Sequence, residues 1–192
     1  DLKEPVLALH ISGGTTEILN VLPYNNGYNI DIIGGSSDIS AGQFIDRIGV
    51  KLGLPFPCGA AMEKMIDFTK IEDINIPFSI KGNLISFSGP ETYVQNRLKD
   101  NIDISSVNYS VFMSIGKALY RLIITILKEY NYKNLLIVGG VASNTIIRNF
   151  LSEKLSENKI NAYFGQAKYC TDNAVGIASL GVRTYIKNTS KK

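Results

Sequence analysis

The sequence contains a single histidine, His10, and this scarcity limits the chemistry open to the chain. A zinc site built on an HExxH motif, or any site that needs two imidazoles, cannot form from one such chain. A Ser-His-Asp triad could use only His10, which lies in the strand-like run of residues 6–12. Alternate residues of such a strand face a packed side whatever the function, so we interpret His10 first as structural.

Cysteines and long hydrophobic runs are also scarce. Cys58 and Cys170 are far apart and have no paired spacing, so neither a disulfide framework nor a CxxC site is expected. The longest apolar runs, such as residues 122–127 and 135–138, are shorter than the roughly 18 residues that a membrane span needs. The first ten residues carry acids and a proline where an export signal would be basic and then apolar. We therefore expect a cytoplasmic protein without a membrane partner.

The composition is that of a folded protein. The chain has 192 residues, of which 45% are hydrophobic and 19% charged, and this length suits one large domain or two small lobes. The net charge of +3 is compatible with an RNA partner, but lysines and arginines are dispersed and form no basic stripe.

The hydropathy pattern predicts an α/β fold that begins with three antiparallel strands. Two apolar runs flank the SGGTT turn at residues 12–16, and residues 28–33 alternate after a YNNG turn. A helix follows around residues 44–52, and a second, long helix is expected at residues 110–130. The rest of the chain predicts parallel strand pairing, because strands and helices alternate there. The expected elements are a strand at 134–138, a helix at 144–155, a strand at 160–164 and a helix at 172–186. Residues 54–105 are less regular and are interpreted as a mainly helical insertion.

Three turns that each follow a strand could expose backbone amides to a ligand: residues 12–16, 139–144 and 170–173. Gly13 and Gly14 would let a phosphate approach the backbone, and the turn at residues 139–140 would let a nucleoside lie across it. Asn144 could then form a hydrogen bond with the base edge or with a ribose hydroxyl of that nucleoside. The alternatives stay open, because a diglycine is often a turn that needs positive φ. Asp172 is either a helix N-cap or an oxygen ligand of a metal, and Asp46 could lie on a solvated helix face.

Five segments occur in the order and rough spacing of one known family. They are SGGTTEI at residues 12–18, FIDRIGVKLGLPFPCG at 44–59, ISFSG at 85–89, LLIVGGVASN at 135–144 and CTDNAVGIA at 170–178. The sequence resembles TsaD, the tRNA N6-threonylcarbamoyladenosine synthase family once labelled glycoprotease or peptidase M22. The resemblance covers nearly the whole chain.

The resemblance implies a ribonuclease-H-like, actin-like ATPase lobe made of residues 1–53 and 106–187, with an insertion subdomain at 54–105 and a polar tail at 188–192. The chain looks like the second of the family's two lobes, and the upstream lobe is expected to be absent. The activity implied is transfer of threonylcarbamoyl from threonylcarbamoyl-adenylate to N6 of adenosine in tRNA. The implied partners are tRNA, TsaB-like and TsaE-like subunits and a homo- or heterodimer.

The resemblance also implies a site for an adenine nucleotide or threonylcarbamoyl-adenylate and a divalent metal, which would be iron, zinc or magnesium. The metal ligand would be Asp172. The site would be incomplete in this chain, because a firm metal site needs three or more protein ligands. No catalytic residue is assigned. The nucleotide-binding residues would be His10, Ile11, Ser12, Gly13, Gly14, Asp46, Gly59, Gly139, Gly140 and Asn144.

Several positions depart from the family pattern, and they leave the function open. The family usually has histidine where this chain has Thr15, and aspartate where it has Ile39. It has glutamate at the position of Gln43, glycine at that of Cys58, and a Leu-Lys pair at residues 90–91. The leading interpretation is the nucleotide-facing lobe of the transferase. The alternative is a non-catalytic actin-like paralogue or partner subunit, and a third is a sugar or acetate kinase of the same superfold. A protease is disfavoured, because the histidines of a zinc site and a nucleophile pair are missing.

Overall fold

The computed structural model describes residues 3–24, 27–100, 102–166, 169–170 and 174–189, and it opens with the three predicted strands. They are β1 (Val6–Ile11), β2 (Thr16–Tyr24) and β3 (Gly27–Ser36). β1 pairs antiparallel with β2, and β2 pairs antiparallel with β3. The predicted antiparallel start is confirmed.

Helices and two short strands follow β3. They are α1 (Ala41–Lys51), α2 (Gly59–Lys64), β4 (Ser79–Lys81), β5 (Leu84–Ser86), α3 (Ser88–Arg97) and α4 (Ile104–Leu127). β5 pairs in parallel with β3, and β4 pairs antiparallel with β5, so the segment expected as an insertion adds two strands to the common sheet. The domain boundaries expected at residues 53/54 and 105/106 stay predictions.

The last part of the chain alternates strands and helices, as predicted. Its elements are β6 (Asn134–Val138), a 3-10 helix (Gly140–Ser143), α5 (Thr145–Glu157), β7 (Asn161–Phe164) and α6 (Ala174–Thr189). β6 pairs in parallel with both β1 and β7. The sheet therefore has the order β4-β5-β3-β2-β1-β6-β7, and the carboxyl ends of β1, β6 and β7 lie at the same edge.

The main core lies between one face of the sheet and helix α4. Leu7, Leu9 and Ile11 of β1 are fully buried there, and so are Ile115 and Leu119 of α4. α4 is long and apolar enough to cross a bilayer, with a mean hydropathy of 1.5, but 61% of its apolar window is buried inside the fold. The central helix of a folded domain has the same properties, so this match is weak support for a membrane span.

The other face of the sheet carries a smaller apolar cluster made of Val6, Ala8 and Val21. Farther across the same face, Ile30 and Ile32 of β3 are more than half exposed. α6 is also largely exposed, because Ile177 and Tyr185 show 64% and 70% of their surfaces to solvent.

Candidate functional site

The turn after β6 touches the end of β1 at the carboxyl edge of the sheet. Gly139 has φ of +104°, a left-handed conformation that favours glycine. A Cβ at Gly139 would lie 3.1 Å from Cδ2 of His10 and would overlap the carbonyl of Ile11. The predicted ligand-binding turns at residues 12–16 and 139–144 therefore begin side by side, because Ile11 directly precedes Ser12.

The Ser12-Gly13-Gly14 loop is fixed by its own hydrogen bonds and by the start of α1. The Ser12 amide donates to the Thr15 carbonyl at 2.8 Å, and the Thr15 amide donates to Oγ of Ser12 at 3.2 Å. Ser40 caps α1 and donates its hydroxyl to the Gly13 carbonyl at 2.7 Å. A Cβ at Gly42 would lie 2.5 Å from Cα of Gly13, so the first turn of α1 packs directly on the loop.

The glycines of both turns leave open space on their outer side. A Cβ at Gly13, Gly14 or Gly140 would meet no described heavy atom within 4 Å. Small residues with this much space let an anionic or planar ligand approach the backbone closely. The arrangement leaves room for such a ligand, and an adenine nucleotide at this place stays a prediction.

Asp46 anchors the loop that leads from α1 to α2. Its Oδ1 accepts a hydrogen bond from the Cys58 amide at 2.7 Å, directly before Gly59 begins α2. Cys58 is fully buried, and its Sγ lies 3.5 Å from the Asp46 carbonyl oxygen. Burial raises the pKa of the Cys58 thiol, and the nearby Asp46 carboxylate raises it further. Asp46 thus lies close to Gly59, and the nucleoside contacts that the family resemblance implies for both residues stay predictions.

Glu63, at the end of α2, is a site residue that the sequence analysis missed. Its Oε1 accepts hydrogen bonds from the amide of Thr145, at 2.9 Å, and from the Thr145 hydroxyl, while its Oε2 accepts from Nδ2 of Asn144 at 2.8 Å. A carboxylate at the first turn of α5 is favoured by the helix dipole. No sequence signal singles out Glu63, because its partners are 81 and 82 residues away.

Asn144 is held at both ends of its side-chain amide. Its Oδ1 accepts from the Ile147 amide at 3.0 Å and caps α5, and its Nδ2 donates to Glu63. The side chain is almost buried, with 8% of the residue surface exposed. A nucleotide at this position would therefore meet the Glu63 carboxylate together with Asn144.

Arg148 ties the turn after β6 to the turn after β7. Its Nε donates to the Ala142 carbonyl at 3.2 Å, and its Nη2 donates to the Gly165 carbonyl at 2.9 Å. The guanidinium also lies 4.8 Å from the centre of the Phe164 ring, a cation–π contact. Arg148 is thus a positioning residue for the site edge.

The two residues that precede the Ser12 loop face opposite sides of the sheet. Ile11 is fully buried in the main core, so only its backbone borders the site. His10 is half-buried on the opposite face and pairs with Glu17 and Val138 in the sheet.

The metal expected at Asp172 is not supported by the part of the chain that the structure describes. Asp172 lies outside the described residues, together with Thr171 and Asn173. Among the described residues, no group of three or more His, Cys, Asp or Glu could hold a metal ion. The metal expected at Asp172 therefore stays a prediction.

The SFSG turn at residues 86–89 is a packing turn at the start of α3. Asp38 accepts hydrogen bonds from the hydroxyls of Ser86 and Ser88, both at 2.6 Å, and from the Phe87 amide at 2.9 Å. Partial burial raises the pKa of Asp38, but these hydrogen bonds and one from the Ile39 amide outweigh it and lower that pKa to about 2. Asp38 thereby fixes α3 beside α1.

The sequence matches the family model of TsaD, tRNA N6-adenosine threonylcarbamoyltransferase, over residues 1–179. The chain belongs to the TsaD family. A tRNA N6-adenosine threonylcarbamoyltransferase from Caldicellulosiruptor saccharolyticus is 33% identical over 97% of this chain and 56% of its own length. A probable bifunctional tRNA threonylcarbamoyladenosine biosynthesis protein from Methanosphaera stadtmanae is 33% identical over 97% of this chain and 34% of its own. The chain thus spans 56% of the length of the first relative and 34% of the length of the second.

Two solved structures show the same fold at low identity. Full-length HypF in its phosphate- and nucleotide-bound form matches with a TM-score of 0.68 and 14% identity, over 86% of this chain and 31% of its own. The activator of the 2-hydroxyisocaproyl-CoA dehydratase from Clostridium difficile, with bound ADPNP, matches with a TM-score of 0.59 and 16% identity, over 98% of this chain and 62% of its own. The predicted ribonuclease-H-like, actin-like fold is confirmed.

Proposed function

We propose that this chain is the nucleotide-facing lobe of a tRNA N6-adenosine threonylcarbamoyltransferase. The observation that carries the proposal is a continuous ring of contacts around the carboxyl end of β1 in a member of the TsaD family. The ring runs from the Ser12 loop through α1 and Asp46 to α2, and from Glu63 through Asn144 back to Gly139. Open space beyond Gly13, Gly14 and Gly140 lies on this ring.

Each part of the ring suits one part of threonylcarbamoyl-adenylate. Backbone amides at the glycine loops would hold the phosphate, and the Asp46 and Glu63 carboxylates would accept hydrogen bonds from ribose hydroxyls. This assignment gives Glu63 a role beside Asn144 and Gly59. The metal expected from the resemblance stays a prediction.

The reaction would proceed by positioning and electrostatic stabilisation. The N6 amine of the tRNA adenosine forms a bond to the carbamoyl carbon, and the bond from that carbon to the adenylate phosphate oxygen breaks. AMP leaves with the bonding electrons, and the proton released from the amine passes to solvent. Loop amides at Gly13 and Gly14 would stabilise the charge that develops on the phosphate.

Calorimetric titration of the full chain with AMP tests the proposal. We expect Glu63→Gln to weaken AMP binding by about 10- to 150-fold, because a hydrogen bond to a charged group contributes about 1.5–3 kcal/mol. The matched control is Glu129→Gln, an exposed glutamate in the connection between α4 and the start of β6. Equal AMP affinity of both variants would remove Glu63 from the site.

The second candidate is a non-catalytic partner subunit that keeps the fold for binding TsaB-like or TsaE-like proteins or another copy. It is favoured by the exposed apolar side chains of α6, including Ile177, Leu180 and Tyr185. The two candidates differ in the same calorimetric experiment. No heat with AMP, with or without Mg²⁺ or Zn²⁺, favours the partner subunit.

A further inference from the structure

A groove of about 720 Å³ lies between α1 and α3 and ends at Gly13 and Gly14. Asp46, which borders the proposed nucleotide site, also lines this groove. The groove is therefore continuous with the nucleotide site, but most of its wall has no role there. Its other lining side chains include Gln43, Arg47, Val50, Phe56 and Gln95.

Phe56 presents an aromatic ring to solvent from a loop that is firmly held. The residue is 75% exposed, and Val50 beside the same groove is 57% exposed. The loop is fixed on both sides of Phe56, because the Leu54 amide donates to the Gly49 carbonyl at 2.9 Å and the Cys58 amide donates to Asp46. An exposed aromatic ring on a fixed loop is a ready stacking surface for a planar group.

The groove carries charges of both signs, because Asp46, Arg47 and Glu91 all line it. Arg47 pairs with Glu91 at 2.9 Å, and its side chain is 50% exposed. Lys51, one helical turn farther along α1, is exposed. Arg47 and Lys51 are therefore two cations that can meet phosphates of an RNA backbone.

Two side-chain amides offer hydrogen bonds inside the groove. Oε1 of Gln43 accepts from the Ser40 amide, and Nε2 of Gln95 donates to Glu91. The Nε2 donor of Gln43 and the Oε1 acceptor of Gln95 therefore have no hydrogen-bond partner among the described residues. A nucleobase edge carries both kinds of group.

We propose that this groove binds an unpaired purine base of an RNA strand, stacked on Phe56, with Arg47 and Lys51 contacting the adjoining phosphates. The inference rests on the proposed function, because it places the acceptor nucleotide of the RNA beside the Gly13-Gly14 loop. Stacking on an aromatic ring combined with cationic contacts to the backbone is how proteins bind single-stranded nucleic acids.

The test uses a short single-stranded RNA in which one adenine is replaced by 2-aminopurine, whose fluorescence falls when it stacks. We expect the full chain to quench this RNA and Phe56→Tyr to do the same. Phe56→Ala should lose the quenching and bind about five- to 150-fold more weakly, the range measured for loss of base–aromatic stacking. The control is Phe68→Ala, an exposed phenylalanine that contacts Tyr109 and does not line the groove.

A parallel AMP titration separates this inference from the proposed function. AMP affinity should be unchanged in Phe56→Ala, which also shows that the variant is folded. RNA quenching without AMP binding by the wild-type chain would refute the nucleotide site and leave the groove assignment standing. Absence of quenching by the wild-type chain, or full quenching by Phe56→Ala, would overturn the groove assignment.

Discussion

Replacing Gly42 with alanine should disrupt the proposed nucleotide site from a position outside the space that the ligand would occupy. The new Cβ would lie 2.5 Å from Cα of Gly13 and closer still to the Ser12 carbonyl oxygen. Because both neighbours are backbone atoms, no side-chain rotation can relieve the overlap. The loop or the first turn of α1 must move.

The expected cost of Gly42→Ala follows from this overlap. Overpacking at a buried position typically costs about 1–3 kcal/mol of unfolding free energy. For a domain of this size, that corresponds to a fall in Tm of roughly 2–12 °C. The displaced loop should also bind AMP at least about tenfold more weakly, equivalent to 1.4 kcal/mol.

Thermal unfolding followed by circular dichroism measures the stability, and calorimetry measures AMP affinity. The control is Gly89→Ala in the first turn of α3, where a Cβ would meet no described heavy atom within 4 Å. Alanine is the better helix former, so this control should be neutral or up to about 1 kcal/mol more stable. A Gly42→Ala variant that matches the wild type in both Tm and AMP affinity would refute the packing of α1 on the loop.

Three further predictions concern side chains around the site. Asp38→Asn should destabilise the fold at pH 6, because the lowered pKa of Asp38 means that its ionised carboxylate stabilises the fold. The difference in unfolding free energy between the variant and the wild type, measured by urea unfolding, should shrink as the pH falls from about 4 toward about 2, where the carboxylate becomes protonated. In native protein, Cys170 should react with a thiol reagent well before Cys58, which is fully buried. Arg148→Met should weaken AMP binding by several-fold in calorimetry, because the turns after β6 and β7 lose their shared hydrogen-bond donor.

Each of these predictions has a definite contrary result. A constant stability difference between Asp38→Asn and wild type from pH 6 to pH 2 would mean that the charge of Asp38 does not stabilise α3. Equal reaction rates of the two thiols would place Cys58 in contact with solvent. Unchanged AMP affinity in Arg148→Met would show that the turn after β6 holds its position alone.

The strands and the long helices were predictable because their patterns are local. Residues 28–33 alternate and form part of β3, and the apolar spacing of residues 111–127 marks the buried face of α4. The capping box of Ser40 and Gln43 fixes the start of α1, three residues before the periodic segment on which the sequence prediction relied. The glycines at 139–140 were identified as a strand-ending turn, and the structure gives the reason in the close approach to Ile11.

Features that depend on distant residues were beyond the sequence pattern. β4 and β5 have three residues each, too few for a period, and their place depends on pairing with β3. Glu63 lies in a short helix and gains its partners only when α2 meets α5. Asp38 meets residues of the SFSG turn that lie 48 to 50 positions away. The sequence therefore identified the loops and Asp46, but it did not identify Glu63 or Asp38, whose partners lie far away along the chain.

The most direct test of a single adenine-nucleotide site is the amide spectrum of isotopically labelled protein titrated with AMP. The ring of contacts predicts that the amides of Gly13, Gly14, Gly140 and Thr145 shift together with one dissociation constant, because they border the same space. Shifts confined to one of these turns, or a set dominated by residues at the opposite edge of the sheet, would contradict a nucleotide site formed jointly by the loops after β1 and β6.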